Sequence, residues 1–384
     1  MRHPVLRFQR PRKSILANHH TTVLACRRTH TCAAQRKPPK PAAGAAAPLT
    51  ASPASATLNQ HHMIKREEFK VARHAKRTDA KVAVIGAGVI GCVYAAQLHN
   101  AGVDVTLVTR TSDALPDGIH LDSHLKYFGE QRVHVPTATI DQLPRIDVAI
   151  LALQAHHLEP VLTALDDLEC RIVVPLMHLG DQREALLDRI GRDRVVLAFP
   201  GIGGRRNKNG SISWMPVPQQ PTLVDTKAEH ADEIYELFAS TGLAVKREPY
   251  MADWLNTHAI LASVLRILVL RPIGGVREAA RDMELVSAAS IAIRSGLLGY
   301  HKNGGRIRPP ALDFLTRRMP PIVAVRYWQT QLTSELGIIT IEPNAKASAN
   351  TELLVLIRQA LQLVGPDAVE FREWVTPTLN AAQS

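Results

Sequence analysis

The chain is short of the residues that staple a fold or anchor it in lipid. It has four cysteines in 384 residues, Cys26, Cys32, Cys92 and Cys170, and no pair of them has zinc-ligand spacing. That argues against a disulfide framework and suits a reducing compartment, so a cytoplasmic location is expected. The longest apolar run, Ala259 to Leu270, is too short for a bilayer and is broken by Arg266, so no membrane partner is expected. Acidic residues are absent from the first 66 positions, which hold 12 of the 46 Lys and Arg. Setting those 12 aside leaves 34 basic residues against 35 acidic ones. The formal charge of +11 is therefore a property of the tail, and no nucleic-acid partner is expected for the rest.

The chain as a whole has the make-up of a soluble globular protein, 46% hydrophobic and 21% charged. Its length suits about two to three domains of roughly 100–200 residues each. Three regions are expected, at 1–79, 80–249 and 250–384. The first is rich in Arg, His, Pro and Ala, with Pro38-Pro39-Lys40-Pro41 leading into an Ala-rich run to Ala56. Without an apolar period it cannot bury enough surface to offset its ordering entropy, so disorder is expected. A transit peptide, with an organellar location, a nucleic-acid-binding arm and an upstream extension before a start at Met63 all fit its composition. The last is preferred, because the sustained amphipathic pattern of a transit peptide is missing.

The chemistry begins after residue 80. Lys81-Val82-Ala83-Val84-Ile85 is a short apolar run of the kind that forms a buried parallel strand. It ends in Gly86-Ala87-Gly88-Val89-Ile90-Gly91, a helical pattern follows through Leu98, and Val105 to Thr109 reads as a second strand. In this strand–turn–helix–strand context each glycine has its own use. Gly86 permits the tight turn, Gly88 a close approach to a diphosphate, and Gly91 helix–sheet packing. The helix N-terminus, with Val89 and Ile90, then presents free N–H groups to phosphate. Arg110 stands at the end of the second strand, where an Asp or Glu would accept from a ribose 2′-hydroxyl. A cation beside Thr111 and Ser112 suits a 2′-phosphate, so NADP(H) is expected over NAD(H).

Further strands are predicted at Val148–Leu153, Arg171–Leu176, Val195–Phe199, Thr222–Asp225 and Leu243–Val245, with helices at Glu159–Leu168 and Ala228–Ser240. The alternation predicts a doubly wound α/β sheet of the Rossmann type, with ligands at the carboxyl ends of its strands. From Asp253 onward the periodicity turns helical, at Trp254–Leu270, Val276–Tyr300 and Thr351–Leu363, which predicts a mainly helical C-terminal domain and a site in the cleft between the two.

The glycine loop and Arg110, with Leu151-Ala152-Leu153-Gln154, Met177-His178-Leu179-Gly180, Phe199-Pro200-Gly201-Ile202-Gly203-Gly204, Gln219-Gln220-Pro221-Thr222 and Trp254-Leu255-Asn256-Thr257-His258-Ala259, together resemble the ketopantoate reductase family in a divergent form. The resemblance implies reduction of a small 2-oxo acid by NADPH, a cation polarising the carbonyl and a general acid protonating the alkoxide. It also places Gln154 among the cofactor-binding residues. Where the family usually has a catalytic Lys this chain has Asn256, and Ile260, Leu179 and Leu151 replace polar residues of the pattern. Asn256, His178 and His258 are the expected cleft residues, the imidazoles standing in for the lost acid. The rival reading is a non-catalytic NADP-binding sensor or partner protein on a reductase scaffold. His156-His157 reads as a surface pair, Arg205, Arg206 and Lys208 as a solvated loop or, less favoured, a guide for an anionic substrate, and Gly201 to Gly204 as a turn or a second approach to ligand. No metal site is expected, and a homodimer is left open.

Overall fold

A computed structural model describes residues 79–112, 114–124, 128–271, 274–348 and 351–382. The expectation for the N-terminal extension lies, up to residue 78, outside the described residues.

Five short strands make the central sheet: β1 (Lys81–Ile85), β2 (Asp104–Val108), β5 (Thr137–Ala138), β6 (Ile146–Leu151) and β7 (Cys170–Pro175). They pair in the order β5-β2-β1-β6-β7, all parallel. Strands buried on both faces read as unbroken apolar runs, which is why Val82 to Ile85 and Val148 to Leu151 are all buried. Bridges at Val173–Val195 and Leu176–Ala198 extend the sheet to β8 (Ala198–Phe199). β8 runs antiparallel to β11 (Thr222–Asp225), and β11 runs parallel to β12 (Val245–Glu248). The chain order reverses between β1 and β6, so the switch point where ligands bind in such sheets lies beyond Ile85 and Leu151.

A second sheet, in the order β4-β3-β10-β9, was not expected. It comprises β3 (Ile119–Ser123), β4 (Glu130–Val133), β9 (Ile202–Arg206) and β10 (Ile212–Pro216). Its Ile119, Leu121, Ile212 and Trp214 share one apolar core with Val82, Val84, Leu107 and Ile150 of the main sheet and with helix α1 (Val89–Asn100). A helix enclosed in this way has no polar stripe, and α1 buries eight consecutive residues from Gly91 to Leu98. The Gly201–Gly204 stretch is not a turn: it enters β9. A Cβ on Gly203 would stand 2.2 Å from Thr340 Cγ2 and one on Gly204 2.4 Å from the Ser213 carbonyl, so these glycines serve packing.

Helices α2 (Leu158–Asp166), α3 (Arg183–Ile190) and α4 (Ala231–Ala239) belong to the sheet region. From Met251 the chain is helical: α5 (Met251–Leu270), α6 (Val276–Arg281), α7 (Met283–Lys302), α8 (Pro310–Arg317), α9 (Pro321–Thr333), α10 (Glu342–Ser348), α11 (Glu352–Val364) and α12 (Val369–Ala381). The single helix expected over Val276–Tyr300 is broken at Asp282, whose carboxylate accepts from the Leu285 N–H and caps α7. A π turn, Gly337–Ile341, joins α9 to α10. By length and composition α5 meets the requirement for a membrane span, but most of it is buried inside the protein. It is the central helix of the second apolar core, through Ile260, Val264, Ile267 and Leu268.

Candidate active site

The glycine loop divides its work unequally. Gly86 has φ 115°, and a Cβ there would meet the Ala152 carbonyl at 2.5 Å. A Cβ on Gly91 would stand 1.8 Å from the Gly86 carbonyl, so Gly91 lets the helix close on the loop. Gly88 is different: its φ of −73° suits any residue, and a Cβ there would meet nothing within 4 Å. The space beside it belongs to a cleft that Val89 and Ile90 also line. No side chain caps α1 and no acid sits in its first turn, so the first amides and the positive helix end face that space unopposed. Bare amides, a positive dipole end and room where a Cβ would stand fit a dinucleotide diphosphate.

Cations flank the loop. Arg110 is exposed at the end of β2 and lines the cleft with Thr111. Gln154 lines it from the turn that follows β6. His157, expected on the open surface, is exposed but borders the same cleft, and burial, His156 and Arg110 lower its pKa in that order. Sequence reasoning placed Arg206 in a basic loop and did not foresee its contact with the glycine loop. It is the last residue of β9, not part of a free loop, and its Nη2 donates to the Ala87 carbonyl at 2.8 Å. The strand that places it was hidden by the glycines before it.

His178 and His258, 80 positions apart in the chain, are brought together with ring centroids 5.0 Å apart. His258 stacks on Trp254 at 4.9 Å and 18°, and Phe199 lies 4.6 Å from it. Burial holds both imidazoles neutral. His258 is pushed down to about 3, with Arg266 adding to the effect, and His178 lies well below its ordinary value through burial, His258 and Arg266. Neither is an acid near neutral pH. Each is a neutral hydrogen-bonding ring in the cleft wall, and His258 Nδ1 is buried with no partner.

Asn256 is not brought to them. It is buried on another face of α5, outside the cleft lining. Its Nδ2 donates to Tyr300 Oη at 3.1 Å, and its Oδ1 accepts from Arg183 Nη1 at 3.4 Å and Gln359 Nε2 at 3.3 Å. Tyr300 in turn donates to Asp253 at 2.6 Å. The amide ties α5 to α3, α7 and α11.

The cleft measures about 2220 Å³ and carries two ion pairs in its wall. Arg266 meets Glu352 at 2.9 Å and Arg308 meets Glu248 at 2.8 Å. The Arg308 amide donates to Thr257 Oγ1 on α5 at 3.2 Å. Among the described residues no group of three or more His, Cys, Asp or Glu is arranged to hold a metal ion.

A Rossmann sheet with a cleft at its switch point and a helical region beside that cleft is the architecture of a dinucleotide-binding fold. More particularly, residues 82–226 match the family model of ketopantoate reductase PanE/ApbA. No curated protein matches the chain. A 2-dehydropantoate 2-reductase from Geobacter metallireducens GS-15 is 15% identical over 79% of this chain and 99% of its own, with a TM-score of 0.61. A PanE/ApbA family ketopantoate reductase from Ralstonia eutropha JMP134 is 15% identical over 79% and 100%, with a TM-score of 0.56. D-mandelate dehydrogenase, solved with NADH and anilino(oxo)acetate, is 13% identical over 79% and 99%, with a TM-score of 0.55. At such identities the likeness to the three structures is one of fold.

Proposed function

We propose that the chain is an NADP(H)-dependent oxidoreductase that reduces the carbonyl of a 2-oxo acid or a related compound. The observation that carries this reading is the open space at Gly88 in front of an uncapped helix end. Arg110 beside it supports NADP(H), because a guanidinium pairs with a 2′-phosphate that a carboxylate would repel. Arg206 adds a second cation at the loop.

When bound, the dihydronicotinamide supplies a hydride equivalent to the carbonyl carbon. The chain orients the carbonyl. Negative charge grows on the oxygen, and neutral imidazole donors in the cleft wall stabilise it without having to ionise. The oxygen takes its proton from water that enters the cleft.

A second reading, a nucleotide-binding protein without turnover, is favoured by two observations: Asn256 is engaged elsewhere, and both imidazoles are neutral. Titrating NADPH and NADH by fluorescence and then following nucleotide oxidation with a panel of 2-oxo acids separates the two. Tight binding with no turnover of any panel member would select the second reading. No binding of either nucleotide would overturn both.

A further inference from the structure

The cleft is larger than the site of a single drug-sized ligand. Sites for drug-sized ligands run to roughly 300–1,000 Å³, and this one is about 2220 Å³. Its helical side is walled by Leu312 and Leu315 of α8, Val323 and Tyr327 of α9, and Leu336 and Ile341 at the two ends of the π turn. All six are only partly buried, although they adjoin a core in which Trp328 and Leu332 of the same α9 are buried. Apolar surface of this extent, inside a cleft and next to charged residues, is the arrangement expected of a ligand wall.

Polar groups in the same cleft are also unspent. Four buried side-chain atoms among the described residues have no hydrogen-bond partner, and three belong to residues that line the cleft: His258 Nδ1, Arg308 Nε and Thr340 Oγ1. A buried polar group left unpaired is costly, and these three, covered in this structure, belong to side chains in the wall of one cavity, where a side-chain rotation brings them to a ligand's oxygens. Their placement is built in. Arg308 is held by Glu248 through Nη2 and by Thr257 through its backbone amide, which leaves Nε over. Thr340 rides on the π turn, packed against Gly203. Such turns occur often at functional sites.

We propose that the substrate is amphipathic: a 2-oxo acid carrying a long or bulky apolar group, whose oxygens meet Arg308, Thr340 and His258 while its apolar body lies on the α8–α9 wall. This rests on the reading of the cleft as a reductase site and names its substrate class. A short oxo acid would satisfy the polar cluster and leave the wall wet. A long-chain acid covers both and gains from each methylene buried.

The test is a calorimetric titration of straight-chain 2-oxo acids, from 2-oxobutanoate to 2-oxodecanoate, into the full chain with and without NADPH. The expected result is a dissociation constant that falls by roughly three- to fourfold per added methylene until the wall is covered. Val323→Glu places a charge on the wall, and Leu315→Trp fills it with an apolar ring. Both should flatten the series, and an unchanged thermal unfolding profile checks that each variant is folded. A flat or rising series in the wild-type chain overturns this inference, with or without nucleotide. Failure to bind any nicotinamide nucleotide overturns the reductase reading instead, and the chain-length series still reports on the wall.

Discussion

Replacing His258 with phenylalanine should flatten the acid side of the protein's stability profile. Burial and the Arg266 charge push this imidazole from 6.5 down to about 3. Between those values the unfolded chain binds a proton that the folded chain refuses. The unfolded state therefore carries more protons, and stability falls as the pH falls through that window. Each pH unit is worth about 1.4 kcal/mol for one fully enforced group, so the drop from about pH 6.5 to about pH 5 reaches about 2 kcal/mol. His258 is partly reachable from the cleft, and about 1 kcal/mol is the better figure after screening. Above about pH 6.5 the group contributes no slope, being neutral in both states. His258→Phe keeps an apolar ring against Trp254 and Phe199 and removes the titration. Urea unfolding followed by tryptophan fluorescence, at about pH 7 and about pH 5, measures the difference between the two proteins. Because every other group is common to both, the change in slope belongs to this ring and to its effect on His178. Equal pH dependence in variant and wild type would refute the claim that the imidazole is held neutral by its surroundings.

The glycine loop gives a paired test. Gly88→Ala should leave stability within about 0.5 kcal/mol and weaken nucleotide binding at least about tenfold, while Gly91→Ala should cost about 1–3 kcal/mol or more in unfolding free energy. Arg110→Asp should reverse the ratio of NADPH to NADH dissociation constants by about tenfold or more, measured by fluorescence titration at low salt. Asn256→Lys should bring no gain in 2-oxo acid reduction and a loss of about 1–3 kcal/mol in unfolding free energy, since the new ammonium is buried beside Arg183 and breaks the bonds to Tyr300 and Gln359. Glu352→Gln leaves Arg266 buried without its countercharge and should cost about 3–5 kcal/mol, which Arg266→Met in the same chain should largely restore; thermal unfolding of the two variants measures both.

The strands β1, β2, β6, β7 and β11 were legible because a strand buried on both faces writes itself as a continuous apolar run. β12 was displaced by two residues, since Val245-Lys246-Arg247-Glu248 is half exposed and looks like a loop. The second sheet was not legible. Its β3 pairs with β10 across some 90 residues of chain, as Leu121 does with Ile212, and no local period announces such a pairing. β9 was masked by glycines, and the reason for Gly203, the closeness of Thr340, lies far off in sequence. The break at Asp282 did carry a signal, an Asp three residues ahead of Leu285, which the helical period on either side overrode.

Within the site, the part built by the sheet was readable and the part built by the helices was not. The glycine loop is set by neighbours within a few residues, so Gly86, Gly88 and Gly91 could each be given a separate use. The face that α5 turns to the cleft depends on what packs around it, and a helix apolar on all sides does not declare its orientation. One anchor supplies it. Trp254 lines the cleft, and at about 100° per residue the positions that must follow it are three or four further on, then seven or eight. Thr257, His258, Leu261, Ala262 and Leu265 do line the cleft, and Asn256, about 200° around from Trp254, does not. A motif that aligns residue 256 with a catalytic position therefore points to the wrong side of this helix. A donor to the substrate carbonyl from α5 has to come from the face that holds His258, where a buried ring nitrogen is still without a partner.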